Sequence, residues 1–211
     1  MKTIVFNDEI TIYDEDVLRK AFKRDDLFLE DESSVSFSGK VTLGSNIKFS
    51  GHSVMLDGCI VDDGSILSNV IIGSHCHIRP YSIIKNTKAG ARNIFGPFCF
   101  IRDDCSIQDD CIMGSHIEMT RSNISSNVKI SHRAFIADAS IGCNVIIGAG
   151  VIFCNYDGSK KCSSNIDPNV TIGSGSIIVS PVNIGESAVV GAGSIITKNI
   201  EPNTKIIQKR V

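Results

Sequence analysis

The 211-residue chain carries 21 Lys and Arg against 23 Asp and Glu, and its formal net charge is −2 with both signs interspersed. This charge pattern contains no basic stripe that would indicate nucleic acid or an anionic membrane as a partner. Aromatic residues make up only 6%, Trp is absent and there are 18 Gly, which favours short strands and tight turns over a helical bundle. The first residues include acids and no long apolar run, so we expect a cytoplasmic protein without a signal peptide or membrane span.

Residues 1–34 form the first predicted element, an extension that precedes the repetitive part of the chain. The segment DEDVLRKAFKR predicts a short helix, with Asp14 as its N-cap and an apolar face that begins at Val17 and Leu18. We expect a small α/β extension that packs over the first coil of the repeat and covers an otherwise open strand edge.

Residues 35–205 form the second element, which is built from a six-residue repeat. The chain reads VTLGSN IKFSGH SVMLDG CIVDDG near the start of this element and VTIGSG SIIVSP VNIGES AVVGAG SIITKN near its end. The third position is apolar, the second is variable, and the last three are Gly, Asp, Ser or Asn, which favour turns. The third-position residues are Leu43, Phe49, Met55, Val61, Ile72, Ile78, Ile101, Ile107, Met113, Met119, Ile130, Ile136, Ile147, Ile172, Ile178, Ile184, Val190 and Ile196.

This repeat predicts an all-β fold. Alternation over three residues turns positions 1 and 3 inward and position 2 outward. Three such strands and three turns make a triangular parallel β-helix of about eighteen residues per coil, in which each coil pairs with the next. The pattern does not determine the handedness of the coil, and general crossover rules favour right-handed connections.

The eight cysteines are expected to be reduced and mostly structural. They contain no CxxC pair and no zinc-knuckle spacing. Five of them share one inward position of the repeat, as small buried side chains would, and three fall at turns or in a loop. The five are Cys59, Cys76, Cys99, Cys105 and Cys111, and the three are Cys143, Cys154 and Cys162.

Two further segments depart from the repeat. Residues 154–169 (CNYDGSKKCSSNIDPN) form a polar insertion that is too long for a turn, and residues 206–211 form a C-terminal tail. Long loops on rigid scaffolds carry function more often than short ones.

His132 stands at the head of a column of small residues at one corner of the predicted prism. One coil later the same corner holds Ala149, and the coils after the insertion place Ser174 and Ala192 there. A smooth edge lined by backbone N–H and C=O groups would suit a long arm that contains amides, such as the pantetheine of coenzyme A. However, small residues fill turns in any β-helix, and a lone histidine at a turn is more often a solvated residue than a catalyst.

The stretch SHRAFIADASIGCNVIIGAGVIFCNYDGSKK closely resembles the acetyltransferase domain of the bacterial bifunctional N-acetylglucosamine-1-phosphate uridyltransferase / glucosamine-1-phosphate acetyltransferase family. The similarity extends from FGPFCFIRDD to the C-terminus, whereas residues 35–95 match only as generic coils. The resemblance implies a left-handed β-helix and an acetyltransferase that uses acetyl-CoA as cosubstrate. The family's uridyltransferase domain is not expected, because the sequence contains no Gly-rich nucleotide loop near its start.

The resemblance also implies roles for particular residues in catalysis and in coenzyme binding. His132 falls on the family's general base, which takes a proton from the attacking amine, and an imidazole can accept a proton near physiological pH. Glu118 falls on an acid that assists this histidine. The positions that fall on acetyl-CoA contacts are Ala149, Asn155, Tyr156, Ser174, Ala192 and Lys209, with Arg210 as another register for the last of these.

On the acceptor side the match is incomplete. Arg102 falls on an arginine that binds the sugar phosphate, and Lys161 falls on a lysine that reaches the site from a neighbouring subunit. Thr120 replaces a phosphate-binding lysine, Phe135 replaces a tyrosine and Ile146 replaces an asparagine. Each lost donor is worth about 1–3 kcal/mol where it meets a charged group. We therefore expect an amino sugar or nucleotide-linked sugar acceptor whose binding depends less on phosphate.

Three other functions stay open on this scaffold. O-acetyl transfer would use the same His132 on a hydroxyl. A metal-dependent hydro-lyase like the γ-class carbonic anhydrases would need three histidines converging on zinc, and His116 and His132 have no third histidine after them in the sequence. A structural or regulatory β-helix without catalytic activity would bind no acetyl-CoA.

The resemblance further implies a homotrimer with its sites between subunits. A physical reason is that outward apolar residues such as Ile60, Ile71, Ile83 and Phe100 would need cover.

Overall fold

The computed structural model describes residues 4–6, 9–12, 27–29 and 35–207, and every regular element within them is a β-strand. The strands stack as parallel coils around a triangular prism, whose three sides we call faces A, B and C. The predicted left-handed parallel β-helix is confirmed. The predicted helix after Asp14 and the predicted contacts at Lys209 and Arg210 lie outside the described residues.

Within the described ranges, face A is a sheet of 12 strands, the first two of which form an antiparallel hairpin. Its strands are β1 (Ile4–Phe6), β2 (Glu9–Ile12), β5 (Val41–Leu43), β8 (Cys59–Val61), β10 (His77–Ile78), β12 (Ile94–Phe95), β15 (Ile112–Met113), β18 (Lys129–Ile130), β21 (Ile146–Ile147), β24 (Thr171–Ile172), β27 (Val189–Val190) and β29 (Lys205–Ile206). Strand β2 pairs with β1 and with β5 in antiparallel fashion, whereas β5 and β8 pair in parallel. The hairpin therefore covers the strand edge that the first coil would otherwise expose, which is the place expected for the N-terminal extension.

Faces B and C are formed by the other strands, and two long strands bend around the corner to serve both faces. The strands of face B are β3 (Leu27–Leu29), β6 (Ile47–Ser50), β13 (Phe100–Arg102), β16 (Glu118–Thr120), β19 (Phe135–Ala137), β22 (Ile152–Cys154), β25 (Ile177–Val179) and β28 (Ile195–Ile196). The strands of face C are β4 (Val35–Phe37), β7 (Ser53–Met55), β14 (Cys105–Ile107), β17 (Asn123–Ile124), β20 (Ala139–Ile141), β23 (Ser164–Ile166) and β26 (Asn183–Ile184). The shared strands are β9 (Ile66–Ile72) and β11 (Ile83–Ala89).

The coil pattern begins earlier than the sequence repeat indicates. Strand β3 pairs in parallel with β6, with Leu27 opposite Ile47, so part of the N-terminal extension already belongs to face B. Five residues, EDESS, separate LFL from the next strand, VSF, where the six-residue repeat would leave three, so the sequence pattern does not show that LFL belongs to the coils.

The interior of the prism consists of layers of aliphatic side chains. All the third-position residues predicted to point inward are buried, from Leu43 to Ile196, and so are the five inward cysteines. Each fully buried aliphatic side chain of this size contributes about 1.5–3 kcal/mol to folding before the entropy cost is counted. No helix in the described part of the chain is long and apolar enough to cross a bilayer.

The polar insertion is shorter than the predicted range 154–169. Asn123 pairs with Ser140, whereas Ala139 pairs with Ser164, so one coil contains the extra residues. Strand β23 lies within face C, and the backbone N–H of Asn169 donates to the carbonyl of Cys143 at 2.9 Å as in an ordinary turn. The segment that leaves the prism is therefore 155–163.

The corners are turned by residues with positive φ. We use corner AB for the turns between faces A and B and corner BC for those between faces B and C. At corner AB these residues include Phe98 (φ 59°), His116 (φ 58°) and Arg133 (φ 57°) in the earlier coils, and Gly150 (φ 68°) and Gly175 (φ 69°) in the later ones.

Candidate functional site

The column predicted below His132 exists at corner AB. The backbone N–H of Gly150 donates to the carbonyl of His132 at 2.9 Å, and that of Gly175 donates to the carbonyl of Ala149 at 2.8 Å. The N–H of Gly193 likewise donates to the carbonyl of Ser174 at 2.8 Å. These bonds stack His132, Ala149, Ser174 and Ala192 in the predicted order along the prism axis.

The surface of this column is open on the coils after His132. A Cβ added to Gly150 or Gly175 would have nothing within 4 Å, and Ser174 and Ala192 are exposed. Behind the column the coils are in close contact, because a Cβ added to Gly148 would lie 2.4 Å from the backbone nitrogen of Ser174. The result is a groove without large side chains that runs from His132 towards the C-terminus.

The imidazole of His132 is bound to the preceding coil through Ser115. The backbone N–H of Ser115 donates to His132 Nδ1 at 3.0 Å, and Ser115 Oγ lies 3.0 Å from the same nitrogen. Gly114 makes room for this arrangement, because a Cβ there would lie 2.9 Å from Nδ1. The ring is held against the corner and its side chain is exposed; within the described residues Nδ1 has hydrogen-bond partners and Nε2 has none.

Arg102 and Glu118 lie together on the outer side of face B. Arg102 Nη2 donates to Glu118 Oε1 at 2.8 Å, Nη1 binds Asp103, and the guanidinium carbon lies 5.2 Å from the centre of the Phe100 ring. The bond to Glu118 is the main reason that the pKa of Arg102 is raised, and the bond to Arg102 is the main reason that the pKa of Asp103 is lowered. The arginine predicted to bind phosphate thus already has two carboxylate partners.

Thr120 is buried beneath two guanidinium groups. Its hydroxyl accepts a hydrogen bond from Arg121 Nη1 at 2.8 Å and donates to Asp103 at 3.2 Å, and Arg102 Nη1 lies 3.5 Å away. With only 1% of its surface exposed, Thr120 holds the two arginines in place and does not itself face a ligand. Arg121 also forms a two-armed ion pair with Asp138, at 2.6 and 3.0 Å.

The insertion 155–163 is attached to this ionic network. Asn155 Nδ2 donates to Asp138, whose pKa is lowered first by Arg121 and then by Asn155, with a smaller electrostatic effect of Lys161. Tyr156 and Lys161 form an antiparallel bridge, so the insertion is a small hairpin.

Inside the hairpin, the carboxylate of Asp157 accepts hydrogen bonds from the N–H groups of Ser159 and Lys160, both at 2.8 Å. These bonds, first that of Lys160, lower the pKa of Asp157 to about 2. Tyr156, exposed by 62%, donates its hydroxyl to the carbonyl of Gly158 at 2.7 Å. The hairpin is thus ordered by its own polar groups and presents an exposed ring.

The predicted site residues therefore occupy two different corners of one chain. His132, Ala149, Ser174 and Ala192 lie at corner AB, whereas the hairpin with Asn155, Tyr156 and Lys161 lies at corner BC. Strand β19 lies between these corners, and three extended residues span roughly 10 Å. A single chain does not bring together the two groups of residues that were predicted to contact acetyl-CoA.

Phe135 and Ile146 lie on either side of corner AB. Phe135 is half-buried on face B, where it pairs with Glu118 of the preceding coil. Ile146 is 46% exposed on face A, where it pairs with Lys129. Both side chains lie on strands next to corner AB, and each lies beside a charged residue of the preceding coil.

An aromatic stack continues corner AB on the coils before His132. The Phe98 ring lies 5.6 Å from that of Tyr81 with an interplanar angle of 8°, and 4.9 Å from that of His116 with an angle of 26°. Tyr81 and Phe98 are 57% and 48% exposed. Corner AB therefore carries stacked rings before His132 and no large side chains after it.

Sequence reasoning did not identify Ser115, Arg121 or Asp138 as parts of these clusters. Ser115 precedes His132 by one coil, so following the column in both directions would have found it. The pairs of Arg121 depend on side-chain conformation, for which the repeat carries no signal. Within the described ranges, no group of three or more His, Cys, Asp and Glu side chains is placed to hold a metal ion.

Comparison with known proteins relates the chain to one named group. No family model matches it. It is 35% identical over 190 residues to the bifunctional protein GlmU of Baumannia cicadellinicola subsp. Homalodisca coagulata. The aligned region covers 87% of this chain and 40% of that protein. It is 38% identical over 164 residues to the bifunctional protein GlmU of Wigglesworthia glossinidia brevipalpis, with coverages of 78% and 36%. The chain thus spans about two-fifths of the length of these curated relatives.

The fold is similar to that of a solved structure. LpxA from Acinetobacter baumannii matches with a TM-score of 0.57 at 15% identity, covering 88% of this chain and 70% of that one. At this identity the similarity concerns the fold alone. Together with the sequence match, it confirms the resemblance inferred from the motifs: the chain is a hexapeptide-repeat β-helix protein related to GlmU over about two-fifths of the length of those relatives.

Proposed function

We propose that the protein is an acetyltransferase that moves the acetyl group of acetyl-CoA to an amino sugar, carried as a sugar phosphate or a nucleotide-linked sugar. It would act in the cytoplasm, in the biosynthesis of nucleotide sugars or cell-surface polysaccharide. The observation that carries this proposal is the groove at corner AB, which joins an exposed histidine to a column of Ala149, Ser174 and Ala192 with open glycine positions beside it. The relationship to GlmU supports the same chemistry.

The groove suits the amide-containing arm of coenzyme A. Small residues leave space for the arm along the axis, and the thioester at its end would lie beside His132. The acceptor amine attacks the thioester carbonyl, a C–N bond forms, and the C–S bond breaks as coenzyme A leaves as its thiol. His132 removes the proton that the amine loses, a role that typically contributes a factor of about 10²–10⁴.

The acceptor side of the site supports a reduced dependence on phosphate. Arg102 is paired with Glu118 and Asp103, and Arg121 is paired with Asp138, so their charges are already balanced. Phe135 and Ile146 add apolar surface in place of hydrogen-bond donors. An incoming phosphate would have to displace a carboxylate, whereas a sugar ring would find apolar contact.

The separation of the site residues supports a homotrimer. The hairpin residues Asn155, Tyr156 and Lys161 lie at corner BC, away from the groove at corner AB of the same chain. A cyclic arrangement would place corner BC of one subunit against corner AB of the next and complete each site. Outward Ile60, Phe100 and Ile112, each 36–40% exposed, would lose solvent in such contacts.

The test is an acetyl-transfer assay in which released thiol is measured with acetyl-CoA and a panel of amino-sugar phosphates and nucleotide-linked amino sugars. We expect turnover with at least one amine acceptor and a loss of about 10²–10⁴-fold in kcat for His132→Ala. Activity only on acceptors that lack an amine would indicate O-acetylation. No acetyl-CoA binding and no thiol release with any acceptor would indicate the inactive β-helix.

A second variant tests the groove separately from the chemistry. Ala192→Leu places a bulky side chain at the far end of the column, so we expect the KM for acetyl-CoA to rise by about tenfold or more, the equivalent of ~1.4 kcal/mol. Ser140→Leu, on the exposed side of face C, is the matched control and should leave the KM unchanged. Equal KM values for the two variants would contradict the assignment of the groove.

A further inference from the structure

The bond between Ser115 and His132 belongs to a pattern that recurs along the prism. At several turns, a side chain of one coil accepts a hydrogen bond from the backbone N–H of the preceding coil. Examples are Asp57 Oδ1 with the N–H of Lys40 at 2.6 Å, Asp63 Oδ1 with that of Ser45 at 2.7 Å, and Asp109 Oδ1 with that of Ala91 at 2.8 Å. In His132 the atom that takes this place is Nδ1, at 3.0 Å from the N–H of Ser115.

This position determines which ring nitrogen carries the proton. A backbone N–H can only donate, so Nδ1 must offer its lone pair, and the neutral ring then carries its hydrogen on Nε2. In that form the exposed Nε2 is a donor and has no lone pair for a substrate proton. The resting arrangement therefore holds His132 in the tautomer that cannot act as a base through its exposed nitrogen.

The hydroxyl of Ser115 supplies the partner for the other tautomer. Its Oγ lies 3.0 Å from Nδ1, and a hydroxyl can donate or accept. When Nδ1 carries the hydrogen, Oγ accepts it and the lone pair of Nε2 becomes available. Among the described residues, no other side chain forms a hydrogen bond with Nδ1.

We propose that Ser115 is a positioning residue that allows His132 to become a base: its N–H holds the resting tautomer and its hydroxyl accepts the proton of the reactive one. The proposal rests on the proposed general-base function. The resting ring first loses its Nε2 proton to water and takes one up on Nδ1, where Ser115 Oγ accepts the hydrogen bond. Nε2 then takes one proton from the acceptor amine, the ring becomes a cation, and the Nε2 proton leaves to the departing thiolate or to water.

The experiment compares Ser115→Ala with Ser115→Thr. The alanine variant keeps the backbone N–H and loses the hydroxyl, so kcat should fall by about 10- to 100-fold, part of the contribution of a general base. The KM for acetyl-CoA should stay within about twofold. The threonine variant keeps a hydroxyl and should recover most of the lost kcat. A wild-type kcat in Ser115→Ala, or no recovery in Ser115→Thr, would overturn the proposal.

A second measurement needs no turnover. The ¹⁵N NMR signals of the His132 ring, assigned with His132→Ala, report which nitrogen carries the hydrogen in the neutral form. We expect Nε2–H as the major tautomer in the wild type and in Ser115→Ala. A major Nδ1–H tautomer in either protein would overturn the proposal even if no acetyl transfer were found, whereas Nε2–H in an inactive protein would count against the proposed function alone.

Discussion

Arg102 and Glu118 come from adjacent coils of face B and bind each other directly, with Nη2 of the arginine 2.8 Å from Oε1 of the glutamate. Their side chains are 29% and 42% exposed, so the pair lies where a substrate could reach it. By the resemblance, one of these residues would bind a phosphate and the other would assist His132. In this structure the two side chains instead form an ion pair with each other.

Glu118→Gln tests this competition. The change removes the negative charge next to Arg102, so a phosphate-bearing acceptor should bind better. We expect its KM to fall by up to about fivefold, the equivalent of the ~1 kcal/mol that an ion pair of this exposure holds at most. The KM of the same sugar without phosphate should not change, and the ratio of the two KM values is the measurement.

The control for this prediction is Glu186→Gln, an exposed acid at another corner. It should leave the ratio as in the wild type. If Glu118→Gln raises the KM of the phosphorylated acceptor, then Glu118 itself contacts the acceptor and the competition model is wrong.

Asp138 should contribute stability that depends on pH. Its pKa is lowered mainly by the ion pair with Arg121, and its side chain is only 15% exposed. A carboxyl with a lowered folded-state pKa stabilises the fold fully above its unfolded pKa of about 3.9, and this contribution disappears as the pH falls through the lower folded value. Asp138→Asn should therefore cost about 1–3 kcal/mol at pH 7.

Urea unfolding at pH 7 and in steps down to about pH 3 measures this difference. The gap between wild type and Asp138→Asn should shrink as the pH falls below the unfolded pKa. Asp104→Asn, at an exposed turn residue of the same corner with φ 62°, is the control and should show no such gap. A gap that stays constant down to low pH would show that the cost is steric and not ionic.

The six-residue repeat predicted which residues fill the interior and which stack at a corner, because both depend only on the position of a residue within the repeat. Residues from Leu43 to Ile196 point inward at their predicted positions, and the order His132, Ala149, Ser174, Ala192 follows from counting coils. The pairing of Arg102 with Glu118 could not be predicted in this way, because long side chains reach across coils and choose among several carboxylates.

The residue at which the insertion ends could not be predicted from the sequence either. Ser164–Ile166 reads as a polar continuation of the loop, yet it forms strand β23 with Asn165 pointing outward. Only Ile166 in this strand is a large apolar residue, so hydrophobic alternation gives a weak signal there. The contacts that His132 Nδ1 makes with the N–H and the hydroxyl of Ser115 depend on the orientation of the imidazole ring, which the repeat does not specify.

At Phe98 we expect replacement by glycine to destabilise the fold less than replacement by alanine, which is the opposite of the usual order. Its φ of 59° lies in the left-handed region, which costs a non-glycine residue about 1–2 kcal/mol, and its ring stacks between Tyr81 and His116. Phe98→Ala and Phe98→Gly both lose the stacking, but only glycine relieves the backbone cost. We expect Phe98→Gly to be more stable than Phe98→Ala by about 1 kcal/mol in thermal or urea unfolding.

The control is Ser115, whose φ is not positive. There we expect the Ser115→Ala variant to be more stable to unfolding than the Ser115→Gly variant. If alanine is also preferred at Phe98, the backbone there does not adopt the left-handed conformation in solution.

The thiols should fall into two reactivity classes. Cys59, Cys76, Cys99, Cys105 and Cys111 are buried, whereas Cys143, Cys154 and Cys162 are partly exposed. Burial raises the pKa of Cys99 to about 11 and also raises those of Cys105 and Cys111, which keeps them as unreactive thiols. A thiol reagent at pH 8 should label three cysteines rapidly in the folded protein and the other five only in denaturant.

Peptide mapping of the labelled protein identifies the reactive positions. The triple variant with Ser at Cys143, Cys154 and Cys162 is the control and should show almost no rapid labelling. Rapid labelling of Cys99 in the folded protein would contradict its place in the interior.

The pairing of His77 with Ile60 has a consequence for how the length of such a chain can change. Removing residues 60–76 would join Cys59 to His77 and delete one complete coil, so every later side chain would keep its face. Removing six residues would instead rotate everything downstream by one side of the prism relative to the earlier coils, so that the strands of face A before and after the deletion would no longer belong to one sheet. Insertions and deletions before Tyr81 should therefore keep the earlier and later coils aligned only in multiples of a coil, a counting rule that related chains of different length would have to obey.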